Sequence, residues 1–167
     1  DRWVEADTSG GADAMARLQQ AIADYRAAGN ELYVPFYQAL TASAQLRHGT
    51  YGDGLATIEA ALSDVNQSGL WDAEFYRLKG ELLLASDAAT AVEAEDAFRH
   101  AIDIARRQHA KSWELRAAMR LCGLWHRQKK QADAIRLLEE TRSWFTEGDD
   151  TADLREARAL LDSMRIG

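Results

Sequence analysis

A pattern of small and large residues recurs in this chain with a period of about 40 residues, which is typical of repeat proteins. Each copy has a small residue, a large apolar or aromatic residue four positions later, and another small residue seven positions after the first. The four copies are Ala14, Leu18 and Ala21; Gly54, Ile58 and Ala61; Ala94, Phe98 and Ala101; and Ala134, Leu138 and Thr141. Residues with this spacing share one face of a helix. Four copies in one register predict an array of equivalent helices.

The segments between these copies also favour helix. Residues 33–49, 71–86 and 112–128 are rich in Ala, Leu, Glu and Arg, and the whole chain has a single proline, Pro35, which fits the first turn of a helix. Turn signals separate the segments at Gly29, at 49–54, at Gly69 and near residue 88. Each period is therefore predicted to contain a first helix, called helix A, then a turn and a second helix, called helix B.

The pattern resembles the packing signature of tetratricopeptide-like repeats, in which small residues let helix A and helix B approach closely. HEAT-type repeats have a similar period but explain the pattern less well. The predicted fold is all-α, a right-handed tetratricopeptide-like superhelix of antiparallel helix pairs. Its units are a partial repeat at 1–29, repeats at 30–69, 70–110 and 111–148, and a capping helix at 149–167. That last helix has Asp150 as a candidate N-cap and an apolar face of Leu154, Ala157, Leu160 and Leu161.

One pair of residues has the spacing of a catalytic or metal-binding helix. Asp96 and His100 lie four positions apart, but their equivalents in the other copies are Ala and Gln, Ala and Ala, and Arg and Glu. We therefore predict that they occupy the solvated face of helix B, and we predict no catalytic residue, metal or cofactor. The chain has no nucleophile motif and no phosphate loop. Cys122 falls two periods after Ala42, which predicts a buried, unreactive thiol.

Charge and hydropathy limit the partners. The net charge is −7 and no basic stripe stands out, so we expect no nucleic-acid partner. No apolar run reaches the roughly 20 residues of a membrane span, so we expect no membrane insertion. A single cysteine suits a reducing, cytoplasmic compartment. The opening residues DRWVEAD read like the end of a helix, which leads us to expect a segment of a longer polypeptide.

The concave face of such a solenoid is lined mainly by A helices. Counting in register places candidate partner-binding residues there, namely Phe36, Ala39, Ser43, Arg47, Glu74, Arg77, Glu81, Arg116, Met119, Gly123, His126 and Arg127. Arginine forks suit carboxylates, so an acidic peptide is one candidate ligand. A solvated wall with scattered ion pairs is the simpler interpretation. The five tryptophans are interpreted first as packing residues, and alternatively as a binding surface.

Three segments carry a family resemblance, YRLKGELLLAS (76–86), the run from 94 to 125, and SWFTEGDDTADLREARALLD (143–162). They resemble the C-terminal helical repeats of large bacterial signalling proteins. In those proteins a cyclase homology domain or a winged-helix domain precedes an AAA/STAND-type ATPase. They are also similar to the repeat arms of ATPase-type transcription regulators. The chain departs from the pattern at His109, where the family more often has glycine, and at Gly54, which replaces the usual alanine.

The resemblance implies a non-catalytic, regulatory protein–protein interaction module that binds a protein, a peptide or other domains of its parent. Two alternatives remain open. A small-molecule effector sensor would use Tyr37, Arg77, Trp113 and Arg116 to line a pocket. A self-association domain would form a homodimer through the solenoid ends, near Trp3 and Met15.

Overall fold

The computed structural model describes residues 8–64, 69–148 and 150–166, with side chains from residue 16 onward. Within these ranges the chain forms eight α-helices, one 3-10 turn and no strand. The helices are α1 (Thr8–Ala27), α2 (Val34–His48), α3 (Tyr51–Ser63), α4 (Asp72–Ser86), α5 (Ala91–Arg107), α6 (Lys111–Arg127), α7 (Gln131–Arg142) and α8 (Ala152–Ile166). The all-helical prediction is confirmed. Each predicted unit contains the helices expected of it, although the division into units stays a prediction.

Left-handed residues lie between the helices at nearly equal intervals. Positive φ angles occur at Gly29, Gly49, Gly69, His109, Lys129 and Gly148. Successive positions are separated by half of the repeat period, except that the place near residue 89 is taken by the 3-10 turn Ala88–Thr90. There the Asp87 carboxylate accepts a hydrogen bond from the Ala89 N–H at 2.8 Å. Left-handed residues satisfy the last carbonyls of a helix and turn the chain back. Gly29, Gly49, His109 and Lys129 lie within two residues after a helix, whereas Gly69 and Gly148 lie three and four residues before the next helix.

The helices pack mostly against their neighbours in sequence. α2, α4 and α6 are the predicted A helices, and α8 extends their series. Each contacts the next, so they form one continuous layer. Within the described ranges, the B helices α3, α5 and α7 each bridge two successive A helices, whereas α1 packs against α2 and is joined to Asp64, the residue after α3, by an ion pair of Arg26 at 2.8 Å. No two B helices contact each other within the described part of the chain.

The repeated pattern is buried in three of its four copies. Ile58, Phe98 and Leu138 are fully buried, and the small residues around them are also buried. In α1, by contrast, Leu18 is half-buried and Ala21 is exposed, while the Ala14 side chain lies outside the described residues. The difference follows from the packing, because α1 has an A helix on one side only.

Two glycines in helices allow close contacts with large side chains. A Cβ atom added at Gly54 in α3 would lie 2.5 Å from Cδ2 of Leu82 in α4. A Cβ atom added at Gly80 in α4 would lie 2.5 Å from Cε1 of Phe98 in α5. Real Cβ contacts do not reach such distances. Alanine at position 54 would therefore require Leu82 to shift.

The last helix covers the end of the array. α8 packs against α6 and α7 through the buried residues Leu154, Ala157, Leu161 and Met164. The sequence pattern assigned Leu160 to the buried face of α8, but Leu160 is half-buried and Met164 is buried. α8 begins at Ala152, so Asp150 lies two positions before the helix rather than at its N-cap. Asp153 does lie in the first turn, where its charge is favourable.

Candidate binding groove

Aromatic side chains connect the N-terminal ends of the first A helices. The ring centroids are 5.6 Å apart for Phe36 and Trp71, and 5.2 Å apart for Trp71 and Trp113. Phe36 also contacts Tyr37, whose ring meets that of Tyr25 in α1. These contacts confirm the packing interpretation for Trp71 and Trp113. The predicted residues Phe36, Tyr37 and Trp113 are therefore parts of one aromatic row across α2, α4 and α6.

The remaining tryptophans differ in exposure. Trp125 is buried, and the Arg99 guanidinium lies 5.1 Å from the centre of its ring. Trp144 is 65% exposed, with Lys111 Nζ 4.1 Å from its ring centre. Cation–π contacts of this kind hold a partly exposed ring in place. Trp3 lies outside the described residues, as does the side chain of Met15, so the predicted self-association surface stays a prediction.

Ion pairs cross the middle of the A-helix layer. The buried Arg77 guanidinium contacts Glu74 at 2.6 Å and Glu81 at 2.5 Å within α4. Arg120 in α6 joins Glu81 at 2.5 Å to Glu156 of α8 at 2.8 Å. We call these five residues the ion-pair band. Burial lowers the pKa of Arg77, but the two carboxylates raise it by more, so the net pKa lies above its ordinary value.

A further ion pair joins α6 to α8, because Arg116 contacts Asp153 at 2.7 Å. Arg77 and Arg116, both predicted to receive a partner's carboxylate, therefore already bind carboxylates of this chain. Arg47 is bonded only to the Ser43 hydroxyl, at 3.2 Å, within the described residues. His126 is half-buried, and its Nδ1 has no hydrogen-bond partner among them.

Beside the ion-pair band lies an apolar groove of about 850 Å³. It is formed by the C-terminal parts of α2, α4 and α6, by the start of α5, and by α8. Its apolar lining consists of Leu46, Leu84, Ala85, Ala88, Ala91, Phe98, Met119, Gly123, Leu124, Ala159 and Leu160. Its polar lining consists of Glu81, Arg120, Arg127, Glu156 and Ser163. Of the predicted concave-face residues, Glu81, Met119, Gly123 and Arg127 line this groove and the others lie outside it.

Arg127 differs from the other charged residues of the groove. Glu81, Arg120 and Glu156 are bonded to one another in the ion-pair band. Arg127 is exposed and forms neither a hydrogen bond nor an ion pair within the described part of the chain. The groove therefore has ion-paired residues with a net charge of −1 along the band and a local positive charge near the C-terminal end of α6.

The contribution of α8 to this surface was not predicted from the sequence. Glu156, Ala159 and Leu160 line the groove, although residues 149–167 were expected only to cap the array. The order of the helices could have predicted this contribution, because α8 follows a B helix and so occupies the position of an A helix. Arg120 was not among the predicted concave-face residues, because counting in register selected its neighbour Met119. Its role as a bridge between α4 and α8 is visible only in the contacts between helices.

The features considered for catalysis occupy ordinary positions. Asp96 and His100 are exposed, as predicted for the solvated face of α5, and the centroid of the His100 ring lies 4.3 Å from that of Tyr76. The described ranges contain no group of three or more His, Cys, Asp or Glu residues able to hold a metal ion. Cys122 is buried, its Sγ donates to the Ala134 carbonyl at 3.2 Å, and burial raises the pKa of the thiol to about 12.

Comparisons with protein-family models, curated proteins and solved structures found no match. None of the described helices is both long and apolar enough to cross a bilayer. The chain is thus an all-helical array of sequentially packed helices, and its link to signalling ATPases rests on the sequence resemblance alone.

Proposed function

We propose that the chain is a non-catalytic interaction module whose apolar groove binds a segment of a partner polypeptide. In this proposal the helix pairs form a right-handed, tetratricopeptide-like solenoid, and the A helices line its concave face. The repeat period, the contacts between successive A helices and the regular left-handed helix ends support this arrangement. The partner is another protein or another domain of a longer cytoplasmic parent of the cyclase/ATPase type.

The observation that carries the proposal is the groove itself. It opens an apolar volume of about 850 Å³ in the surface of a chain with a net charge of −7. A concave, mostly apolar surface with a few polar groups is the usual form of a binding site. The charges on one side are already paired within the chain, so a partner can bury the apolar lining without leaving those charges unpaired.

Charged substitutions in the groove test the proposal. Ala85 and Ala159 line the groove and are exposed, so Ala85→Glu and Ala159→Glu leave the core intact. The matched control is Ala60→Glu, which changes an exposed alanine of α3 outside the groove. Peptides long enough to form a helix of roughly 24 Å are selected from a displayed library against the wild-type chain. Their affinities are then measured by fluorescence anisotropy.

We expect each groove variant to weaken the selected peptides by at least about tenfold, as loss of an interface centre does. The control should change affinity by less than about twofold, as expected of a site away from the interface. Peptides that bind all three variants like the wild type would place binding elsewhere and contradict the proposal. Failure to select any peptide would also contradict it.

A small-molecule effector is the second candidate, because about 850 Å³ also lies in the size range of small-molecule pockets. The residues named for that alternative, Tyr37, Arg77, Trp113 and Arg116, do not line this groove. A thermal-shift screen of metabolites and nucleotides tests it, with Ala85→Glu as the control. Stabilisation that this variant abolishes would favour the effector.

A further inference from the structure

Gly123 lies in the interior of α6, and no neighbour among the described residues packs where its Cβ atom would be. A Cβ atom added there would meet no atom within 4 Å, although the residue lines the groove. Glycine inside a helix costs about 1 kcal/mol relative to alanine. Gly54 and Gly80 offset that cost by admitting Leu82 and Phe98, and neither could be alanine without displacing its neighbour. At Gly123 the corresponding space is open to the groove.

The two packed glycines indicate what kind of group suits such a space. In both cases a neighbouring helix places a large apolar side chain where the Cβ atom of the glycine would be. The space beside Gly123 opens into a groove whose lining includes Leu84, Leu124 and Leu160. A Leu or Phe side chain from an additional helix would therefore complete at Gly123 the contact that the chain makes at Gly54 and Gly80.

The charge of Arg127 indicates how a bound segment would be oriented. Arg127 lies one helical turn after Gly123 on α6, lines the same groove and has no carboxylate partner within the described ranges. Elsewhere in the same lining, Glu81 and Glu156 both pair with Arg120, and these three residues carry a net charge of −1. A ligand whose carboxylate lies about one helical turn from its apolar anchor would match both Arg127 and the space at Gly123.

We propose that the partner segment is an amphipathic helix that packs a Leu or Phe side chain over Gly123 and directs an Asp or Glu side chain to Arg127. This inference rests on the proposed function and specifies the partner's chemistry. Helix-in-groove recognition places its anchors at i, i+3, i+4 and i+7, which suits a groove formed by helices. An extended segment with the same composition would lack that spacing.

The experiment uses two displayed peptide libraries of equal length and apolar content. In the first, apolar residues occupy helical spacing; in the second, a central proline breaks the helix. Peptides selected on the wild-type chain are measured by fluorescence anisotropy against Gly123→Leu and Arg127→Glu. The matched controls are Gly52→Leu, since Gly52 lies in the first turn of α3 and is also open, and Arg107→Glu, an exposed arginine of α5. Circular dichroism and Gly123→Ala report whether the fold is kept.

Peptides from the helical library should bind Gly123→Leu at least about tenfold more weakly and Gly52→Leu within about twofold of wild type. Arg127→Glu should weaken only the peptides that carry an acidic residue, and Arg107→Glu should not. Helical peptides that are weakened by Ala85→Glu but not by Gly123→Leu overturn the inference and leave the proposed function standing. The inference is also overturned, and the proposed function kept, if only the proline library yields groove binders. If neither library yields peptides, or none respond to groove variants, both proposals are overturned.

Discussion

At the scale of single residues, three glycines inside helices have opposite consequences for stability. Gly54 and Gly80 each leave space that a neighbouring side chain fills, whereas the space at Gly123 is empty. The same substitution to alanine therefore adds an overlapping methyl group at two positions. At the third it only improves helix propensity.

We expect Gly80→Ala to lower the free energy of unfolding by about 1–3 kcal/mol, because the added methyl group would overlap the ring of the fully buried Phe98 and force it to shift. Gly123→Ala should raise it by up to about 1 kcal/mol. Urea denaturation followed by circular dichroism measures both. Equal stability of the two variants would contradict the packing described for Gly80.

Left-handed residues that are not glycine are a second residue-level feature. His109 has φ 56° and Lys129 has φ 61°, and they follow α5 and α6 respectively. A residue with a side chain pays roughly 1–2 kcal/mol in this conformation, and glycine avoids that cost. Glycine offsets part of this gain, because it has more conformational freedom to lose from the unfolded chain.

His109→Gly and Lys129→Gly are therefore expected to stabilise the fold by about 0.5–1 kcal/mol each. Gly49→Ala, at φ 78°, should destabilise it by about 1 kcal/mol and serves as the reverse control. Thermal and urea unfolding report the differences. A loss of stability in both glycine variants would show that the two side chains make contacts stronger than their backbone strain.

At the scale of elements, the junction of α5 and α6 contains a buried carboxylate. Glu114 is 3% exposed and contacts Arg106 at 2.8 Å and Lys111 at 2.7 Å. Burial raises the pKa of Glu114, but the hydrogen bonds and charges of Arg106 and Lys111 lower it by more. The net pKa therefore lies below its ordinary value near 4.5. A lowered pKa means that the folded state holds the proton less tightly than the unfolded state. The stabilisation is therefore complete above about pH 4.5 and is lost as the pH falls through the folded-state pKa.

Glu114→Gln should consequently destabilise the fold by about 1–2 kcal/mol at neutral pH, because two charge-assisted hydrogen bonds are weakened. Its difference from wild type should shrink as the pH falls below about 4.5. Urea midpoints measured across this range test the effect, with the exposed Glu147→Gln as the control. A difference that stayed constant with pH would show that the charge of Glu114 is not the cause.

The elements also show how far sequence reasoning extends. Helix existence and register followed from the spacing of Ile58, Phe98 and Leu138, because core positions in a helix repeat with its period. The groove did not follow, since it depends on how α2, α4, α6 and α8 pack side by side. Arg77 was assigned to a partner although Glu74 and Glu81 bind it within its own helix. Spacing identified a shared face, but burial and pairing on that face required the packed structure.

At the scale of the whole molecule, packing is weakest at α1. Among the described residues, α5 and α7 each bury their central residue between two A-layer helices, whereas α1 packs against the single A helix α2 and leaves Leu18 half-buried. Local opening is governed by the number of buried contacts that must be broken. The array should therefore open from this helix before it opens elsewhere.

Hydrogen exchange followed by mass spectrometry should show at least roughly 100-fold lower protection in α1 than in α5, whose Phe98 and Ala101 are fully buried. α7 is the matched comparison, because it is a shorter B helix that is nonetheless covered by α6 and α8. Protection of α1 equal to that of α7 would contradict the contacts described for the two helices.

The close contact at Gly54 also limits how the chain can be rearranged. Leu82 occupies the place of the methyl group that Gly54 lacks, and the equivalent residues in the later copies are Ala94 and Ala134. A recombined gene that placed α5 or α7 directly before α4 would bring that missing methyl group against Leu82. Duplicating or shuffling these modules therefore requires Leu82 to shift or a compensating change at position 82. The sizes of individual side chains therefore depend on the position of each unit in the array.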